Sequence, residues 1–136
     1  MRAVLFHTGM LAGITGTVFF GFGLVSLLTG DQVLAALVQA HGSGARFLAL
    51  AVLVLDTLLS LAVLVGSLRI RTRKGRLAAG TGYLLLAPTF AWAAWDRMGA
   101  GEPLMGVLDV ALPCACCLLL AGLCYLVVVD RNQSNP

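Results

Sequence analysis

The sequence predicts an all-α integral membrane protein, a four-helix up-and-down bundle. Three observations lead to this fold class. Of the 136 residues, 60% are hydrophobic and only 11% are charged, whereas soluble domains carry roughly 25% charged residues. The polar residues are gathered into short segments that separate four long apolar runs. A run of about 20 apolar residues is long enough to cross a bilayer as a helix.

The four apolar runs predict one transmembrane domain that occupies residues 1–136. The predicted spans cover approximately residues 4–28, 47–68, 77–95 and 104–129. The first run is too long for the apolar part of a signal peptide, and no clear small-residue cleavage site follows it, so we expect it to remain in the mature protein. Asp31 can cap a helix, and residues 31–41 are therefore expected to form a short helix at the outer membrane interface.

The basic residues predict the orientation of the chain. Five of the nine lie in the basic stretch at residues 69–76, between the second and third spans. With four spans, this stretch lies on the same side of the membrane as Arg2 and Arg131, whereas Arg46 and Arg97 lie on the other side. The positive-inside rule then places both termini in the cytoplasm and the protein in a plasma membrane.

The basic residues and the overall composition also lead to predictions about binding partners and the organism of origin. A nucleic-acid partner is not expected, because topology and anionic lipid headgroups explain a basic loop between two spans. The expected partner is the lipid bilayer. Eight Arg residues against one Lys, with abundant Ala, Gly and Leu, are typical of a GC-rich bacterial genome, and the bacterial inner membrane is the predicted location.

Asp56 lies near the middle of the second predicted span, about 15 Å from either end at 1.5 Å per residue. A carboxylate at this depth costs roughly 2.5–3.5 kcal/mol on insertion scales, so we expect it to face the bundle or a cavity and to favour its neutral form. Ser60 lies one turn later on the same face and is a possible partner. Two interpretations stay open. Asp56 is either a ligand, proton or ion site, or a neutral side chain that joins helices by hydrogen bonds.

Three further residues complete the predicted ligand pocket, namely Pro88 and Trp92 in the third span and Asp109 in the fourth. Pro88 frees a backbone carbonyl, which a hydroxyl such as that of Thr89 can satisfy in a membrane helix. Trp92 fits either an interfacial aromatic belt or a pocket wall. Helical spacing places Asp109 on a stripe of the fourth span that we expect to face inward. The other members of this stripe are Pro113, Cys116, Leu120 and Cys124.

The fourth predicted span contains all four cysteines. Thiolates bind soft metals such as Cu(I), Zn or Hg, and the candidate metal ligands are Cys114, Cys116 and Cys117. Cys114 and Cys117 are three residues apart on a helix, which allows contact with one metal but would strain a disulfide. The alternative is that these thiols act as small apolar side chains.

Small residues recur every four positions in the first span, at Gly9, Gly13, Thr17 and Gly21. Positions four apart rotate by only about 40° around a helix, so these residues form one groove. Small side chains let two helix backbones approach closely, and helix association in lipid depends on such packing. The groove is predicted to pack against another span or against a second copy of the chain.

Two short segments resemble the DoxX-like superfamily of small four-span bacterial membrane proteins. One is the basic turn with a small-residue helix start at residues 76–80 (RLAAG). The other, at residues 95–103 (WDRMGAGEP), is similar to an acidic Gly-Pro turn between the last two spans. Some members of that family are quinone-linked oxidoreductase subunits. The resemblance therefore implies a four-span membrane protein with a possible quinone link, and it carries no catalytic residue onto this sequence.

Three hypotheses about function follow. The first is an accessory DoxX-like protein that binds a small apolar or quinone-like molecule through Asp56, Ser60, Pro88, Trp92 and Asp109. The second is a soft-metal or proton-coupled transporter that uses Asp56 and the cysteines of the fourth span. The third is a structural subunit of a membrane complex, or a homo-oligomer, assembled through the groove of the first span. None of these hypotheses requires an enzyme, and the sequence does not identify a cofactor.

Overall fold

The computed structural model describes residues 2–30, 42 and 44–133, and within these residues the regular structure is entirely helical. The four helices are α1 (Arg2–Thr29), α2 (Gly44–Leu68), α3 (Arg73–Gly99) and α4 (Leu104–Gln133). All four are long and apolar enough to cross a membrane. The prediction of an all-α chain with four potential membrane spans is therefore confirmed. The short outer helix expected at residues 31–41 lies outside the described residues.

The helices extend beyond the apolar runs that predicted them. The difference is clearest for α3, which begins at Arg73 and ends at Gly99 instead of covering only residues 77–95. Thr72 is the N-cap, and its Oγ1 accepts a hydrogen bond from the backbone N–H of Gly75 at 3.0 Å. A cap of this kind satisfies a backbone donor that the helix itself leaves unpaired. Polar residues can therefore be helical where the hydropathy signal has already ended.

The outward faces of the helices are apolar. Phe22, Phe47 and Leu104, from three different helices, are 73%, 77% and 73% exposed, respectively. Soluble monomers rarely expose contiguous apolar patches larger than a few hundred Å². These faces are suited to contact with lipid tails, as a multi-pass membrane protein requires.

Side chains from all four helices meet in one hydrophobic cluster. Phe20 of α1, Val63 of α2, Tyr83 of α3 and Cys117 of α4 belong to it. Extensive backbone contact joins α1 to α2, α2 to α3 and α3 to α4. Between the described residues of α1 and α4 such contact is slight. The packing between α1 and α4 is therefore looser than the packing between helices that follow one another along the chain.

Small residues of α1 make the contact with α2. A Cβ atom added to Gly13 would lie 2.8 Å from the Cα and 2.9 Å from the backbone nitrogen of Leu64. Cβ atoms added to Gly9 and Gly16 would overlap the side chains of Ser67 and Ser60, respectively. The two backbones therefore approach so closely at Gly13 that no side chain fits between them.

The contact between α1 and α2 follows the predicted groove at Gly9 and Gly13 but not at the two later positions, Thr17 and Gly21. A Cβ added to Gly21 would meet no atom within 4 Å. The hydroxyl of Thr17 donates to the carbonyl oxygen of Gly13 within its own helix, at 2.7 Å. Repeated steps of four residues rotate steadily around a helix, and a step of three corrects the rotation. The series therefore continues through Gly16, and not through Thr17 and Gly21.

We expect Gly13→Ala to destabilise the protein by about 1–3 kcal/mol, because the added methyl group meets the backbone of α2. Gly21→Ala is the matched control, since it adds the same group to the same helix in open space and Ala favours the helix. Unfolding in mixed SDS and mild-detergent micelles, followed by circular dichroism, measures both variants. Equal loss of stability in the two would contradict the close contact between α1 and α2.

Candidate functional site

A cavity of about 370 Å³ lies among the helices and is bordered by residues of all four. Its wall is mostly aromatic and aliphatic, with Phe20, Phe90 and Leu86 among its members. Ligand cavities in proteins commonly have volumes of about 300–1,000 Å³, apolar walls and a few polar groups. The size and the wall of this interior cavity are therefore those of a site for a small, largely apolar molecule.

The interior cavity opens at the seam between α1 and α4. Thr15 and Phe19 of α1 and Cys116 of α4 border the cavity, and all three are exposed at the outer surface. A residue that is exposed on the outside and also forms part of a cavity wall marks an opening. The surface around this opening is apolar, so the cavity communicates with the region that lipid tails would occupy.

Two polar side chains in the cavity wall are buried, since Ser60 is 1% and Tyr83 is 3% exposed. Neither hydroxyl has a hydrogen-bond partner among the described residues. A buried polar group without a partner costs about 1–3 kcal/mol, and native structures contain few of them. Each hydroxyl can donate one hydrogen bond and accept others. Both hydroxyl oxygens are themselves closed off from the open space of the cavity, so they could contact a ligand there only if their side chains turned towards it.

Asp56 is buried in α2, one turn before Ser60, and it does not border the interior cavity. Its Oδ1 accepts a hydrogen bond from Oγ1 of Thr89 in α3, at 3.0 Å. Its Oδ2 has no partner in the described part of the chain. This hydrogen bond joins α2 to α3, as the interpretation of Asp56 as a side chain that joins helices requires.

Pro88 interrupts the hydrogen bonding of α3 without ending the helix. The hydroxyl expected to satisfy the backbone there, that of Thr89, donates instead to Asp56. The thiol of Cys114 in α4 donates to the carbonyl oxygen of Ala87, at 3.4 Å. A side chain of the neighbouring helix therefore supplies a donor to the backbone beside the proline.

Of the predicted ligand-binding residues, only Ser60 borders the interior cavity. Pro88, Trp92 and Asp109 are exposed on the outside, Trp92 to 75%. The structure therefore does not bring these three, or Asp56, to the wall of the interior cavity. The reason is that the helices are apolar on all faces, and such helices carry no periodic signal for the side that faces inward.

Most of the stripe of α4 that was expected to face inward does so. Pro113, Cys116 and Leu120 border the interior cavity, and Cys124 is buried. Asp109 is the member that departs from the expectation, because it is exposed.

The cysteines of α4 have different environments. Cys117 and Cys124 are buried, Cys114 is half-buried and Cys116 is exposed, and all four are free thiols. In the described part of the chain, no group of three or more His, Cys, Asp or Glu side chains could hold a metal ion. The assignment of Cys114, Cys116 and Cys117 as metal ligands stays a prediction.

The sequence analysis missed the four aromatic members of the cavity wall, Phe19, Phe20, Tyr83 and Phe90. Aromatic residues are expected throughout apolar spans, so the three phenylalanines carry no signal of their own. Tyr83 could have been found, because a polar group in the middle of a span is expected to face the protein interior.

Comparisons with protein families, curated proteins and solved structures find no match to this chain. The function must therefore be argued from the interior cavity, its opening and the polar groups in its wall.

Thr89→Val is expected to destabilise the protein by about 0.6–1.7 kcal/mol, because hydrogen bonds between membrane helices contribute that much. In an Asp56→Leu background the same substitution should cost much less, since the acceptor is already absent. A double-mutant cycle measured by unfolding in mixed micelles isolates this coupling. A coupling energy near zero would show that the bond between α2 and α3 contributes nothing to stability.

Proposed function

We propose that this chain is an integral membrane protein, a four-helix up-and-down bundle that binds a small quinone-like molecule between its helices. One observation carries the proposal, namely an apolar cavity whose wall contains two buried hydroxyls without partners, those of Ser60 and Tyr83. A pure hydrocarbon would leave both hydroxyls unsatisfied. A flat molecule with oxygen atoms would fill the apolar space, and it would also satisfy the two hydroxyls once their side chains turned towards the cavity, from which the oxygens are now closed off.

The volume of the interior cavity supports a ring-sized ligand group. An apolar cavity of about 150 Å³ holds one benzene molecule. The cavity of about 370 Å³ has room for a substituted ring but not for a long isoprenoid tail. Such a tail would leave through the opening beside Phe19 and Cys116 and would continue among the lipid tails.

The chemistry of the wall matches both redox forms of a quinone. The carbonyl oxygens of a quinone accept hydrogen bonds, whereas the hydroxyls of a quinol also donate them. The hydroxyls of Ser60 and Tyr83 can do either. Phe20 and Phe90 have ring centroids 6.2 Å apart, and both border the cavity, where their faces and edges could contact a flat ring.

The proposed location is the bacterial inner membrane, with both termini in the cytoplasm. The support is the distribution of charge, since seven of the nine basic residues lie at the ends of the helices assigned to that side. The resemblance to DoxX-like proteins, some of which are linked to quinones, agrees with the same ligand class. The proposed role is accessory, namely to bind the molecule and not to transform it.

Cys116→Phe is expected to weaken binding of a ubiquinone with one isoprenoid unit by about tenfold, a loss of roughly 1.4 kcal/mol. The larger side chain occupies the opening of the cavity. Ala115→Phe is the matched control, because it adds the same side chain at the next exposed position, which does not border the cavity. Isothermal titration in mild detergent measures both. The proposal fails if Cys116→Phe binds as tightly as the unmodified protein.

Tyr83→Phe is expected to leave the stability of the ligand-free protein unchanged or slightly raised, because the hydroxyl has no partner to lose. Binding of the same ubiquinone should weaken by about fivefold, the equivalent of one hydrogen bond. Binding of naphthalene, a ring without oxygen atoms, should not weaken. An equal effect on the two ligands would indicate that Tyr83 acts through shape alone.

A further inference from the structure

A second cavity, of about 630 Å³, lies at one end of the helices, between the start of α1 and the turn that joins α2 to α3. Its wall combines cationic and apolar side chains. Arg69 and Arg71 of the turn contribute positive charge, while Phe6 of α1 and Leu68 of α2 contribute apolar surface. It shares no residue with the interior cavity. It is therefore a separate candidate site, which we call the basic cavity.

Buried contacts and hydrogen bonds fix the backbone of the turn beside the basic cavity. Ile70 is 4% exposed and packs into a core cluster with side chains of α1, α3 and α4. The buried Arg76 donates from Nη1 to the carbonyl oxygen of Ile70 at 3.2 Å and to that of Arg71 at 3.3 Å. Because Ile70 is anchored inward, its neighbours Arg69 and Arg71 lie at the surface, where both are exposed.

The two arginines of the turn have no acidic partner in the described part of the chain. The ion pair found there joins Arg97, in the last turn of α3, to Glu102, at the opposite end of that helix from the basic cavity. The basic cavity is therefore attractive to an anion.

We propose that the basic cavity binds the phosphate group of an anionic membrane lipid. The guanidinium group forms charge-assisted and often bidentate hydrogen bonds with phosphate oxygens, and Arg69 and Arg71 supply two such groups. Phe6 and Leu68 supply apolar surface beside them, as the glycerol and first acyl carbons of a lipid require. Inorganic phosphate would use the arginines but gain nothing from that surface.

This inference rests on the membrane location proposed above, but not on a ligand in the interior cavity. The two sites use different residues, so they can fail separately. Binding of the short-chain ubiquinone to the interior cavity should be unaffected by any change to Arg69 or Arg71.

The test uses the full chain in a neutral detergent, with lipid binding followed by native mass spectrometry. The probes are dioctanoyl phosphatidylglycerol, which is anionic, and dioctanoyl phosphatidylcholine, which has no net charge. The anionic lipid is expected to bind about tenfold more tightly, the equivalent of one charge-assisted hydrogen bond. Equal binding of the two lipids would overturn the proposal.

Arg69→Gln/Arg71→Gln is expected to abolish this preference. The matched control is Arg73→Gln/Lys74→Gln, which removes the same charge from exposed positions of the basic stretch that do not border the cavity. The control should keep the preference. An equal loss in both double variants would reveal a diffuse charge effect, and the proposed site would be rejected.

Two further measurements complete the test. Thermal unfolding without lipid verifies that each variant folds, and the single variants Arg69→Gln and Arg71→Gln replace the double variant if it does not. Inorganic phosphate in excess should leave the anionic lipid bound to the unmodified protein. If inorganic phosphate displaces the lipid and binds as tightly, a free phosphate is the ligand and the lipid assignment is wrong.

Discussion

Close contact between helix backbones joins each helix to the next one along the chain. Cβ atoms added to Gly13, Gly66 and Gly80 would lie 2.7, 2.6 and 3.1 Å from atoms of α2, α3 and α4, respectively. In lipid there is no hydrophobic drive that brings helices together, so association depends on such close packing. The seam between α1 and α4 has little contact of this type among the described residues. The interior cavity and its opening lie at that seam.

Two of the buried polar groups are satisfied within the protein. Asp56 receives a hydrogen bond from Thr89 across a helix boundary, and Arg76 donates to carbonyl oxygens of the turn before its own helix. Both groups therefore stabilise contacts within the protein. The hydroxyls of Ser60, Ser67 and Tyr83, by contrast, lack partners in the described part of the chain. Ser60 and Tyr83 belong to the wall of the interior cavity and Ser67 does not, so the first two are the candidates to contact a ligand there.

The two cavities differ in position and in chemistry. The interior cavity is apolar, whereas the basic cavity lies at the helix ends and combines arginines with apolar side chains. A bilayer has hydrocarbon at its centre and charged headgroups at its edge. The ligand proposed for each cavity is therefore one that the corresponding layer of a membrane would contain.

For the described part of the chain, the sequence alone determined the number of membrane-length helices and their approximate limits. A chain in lipid must satisfy its backbone within each span, so about 20 apolar residues in a row indicate a helix whatever its neighbours are. It also indicated that Asp56 would be buried, because a carboxyl group facing lipid is costly. Only the tertiary structure decided which side chains share a cavity. Apolar helices present similar residues on every face, so Trp92 was expected in a pocket and is exposed, while Tyr83 forms part of the cavity wall. Which face of each helix points inward depends on where small residues let two backbones approach closely. These contacts are defined only when the helices are packed together.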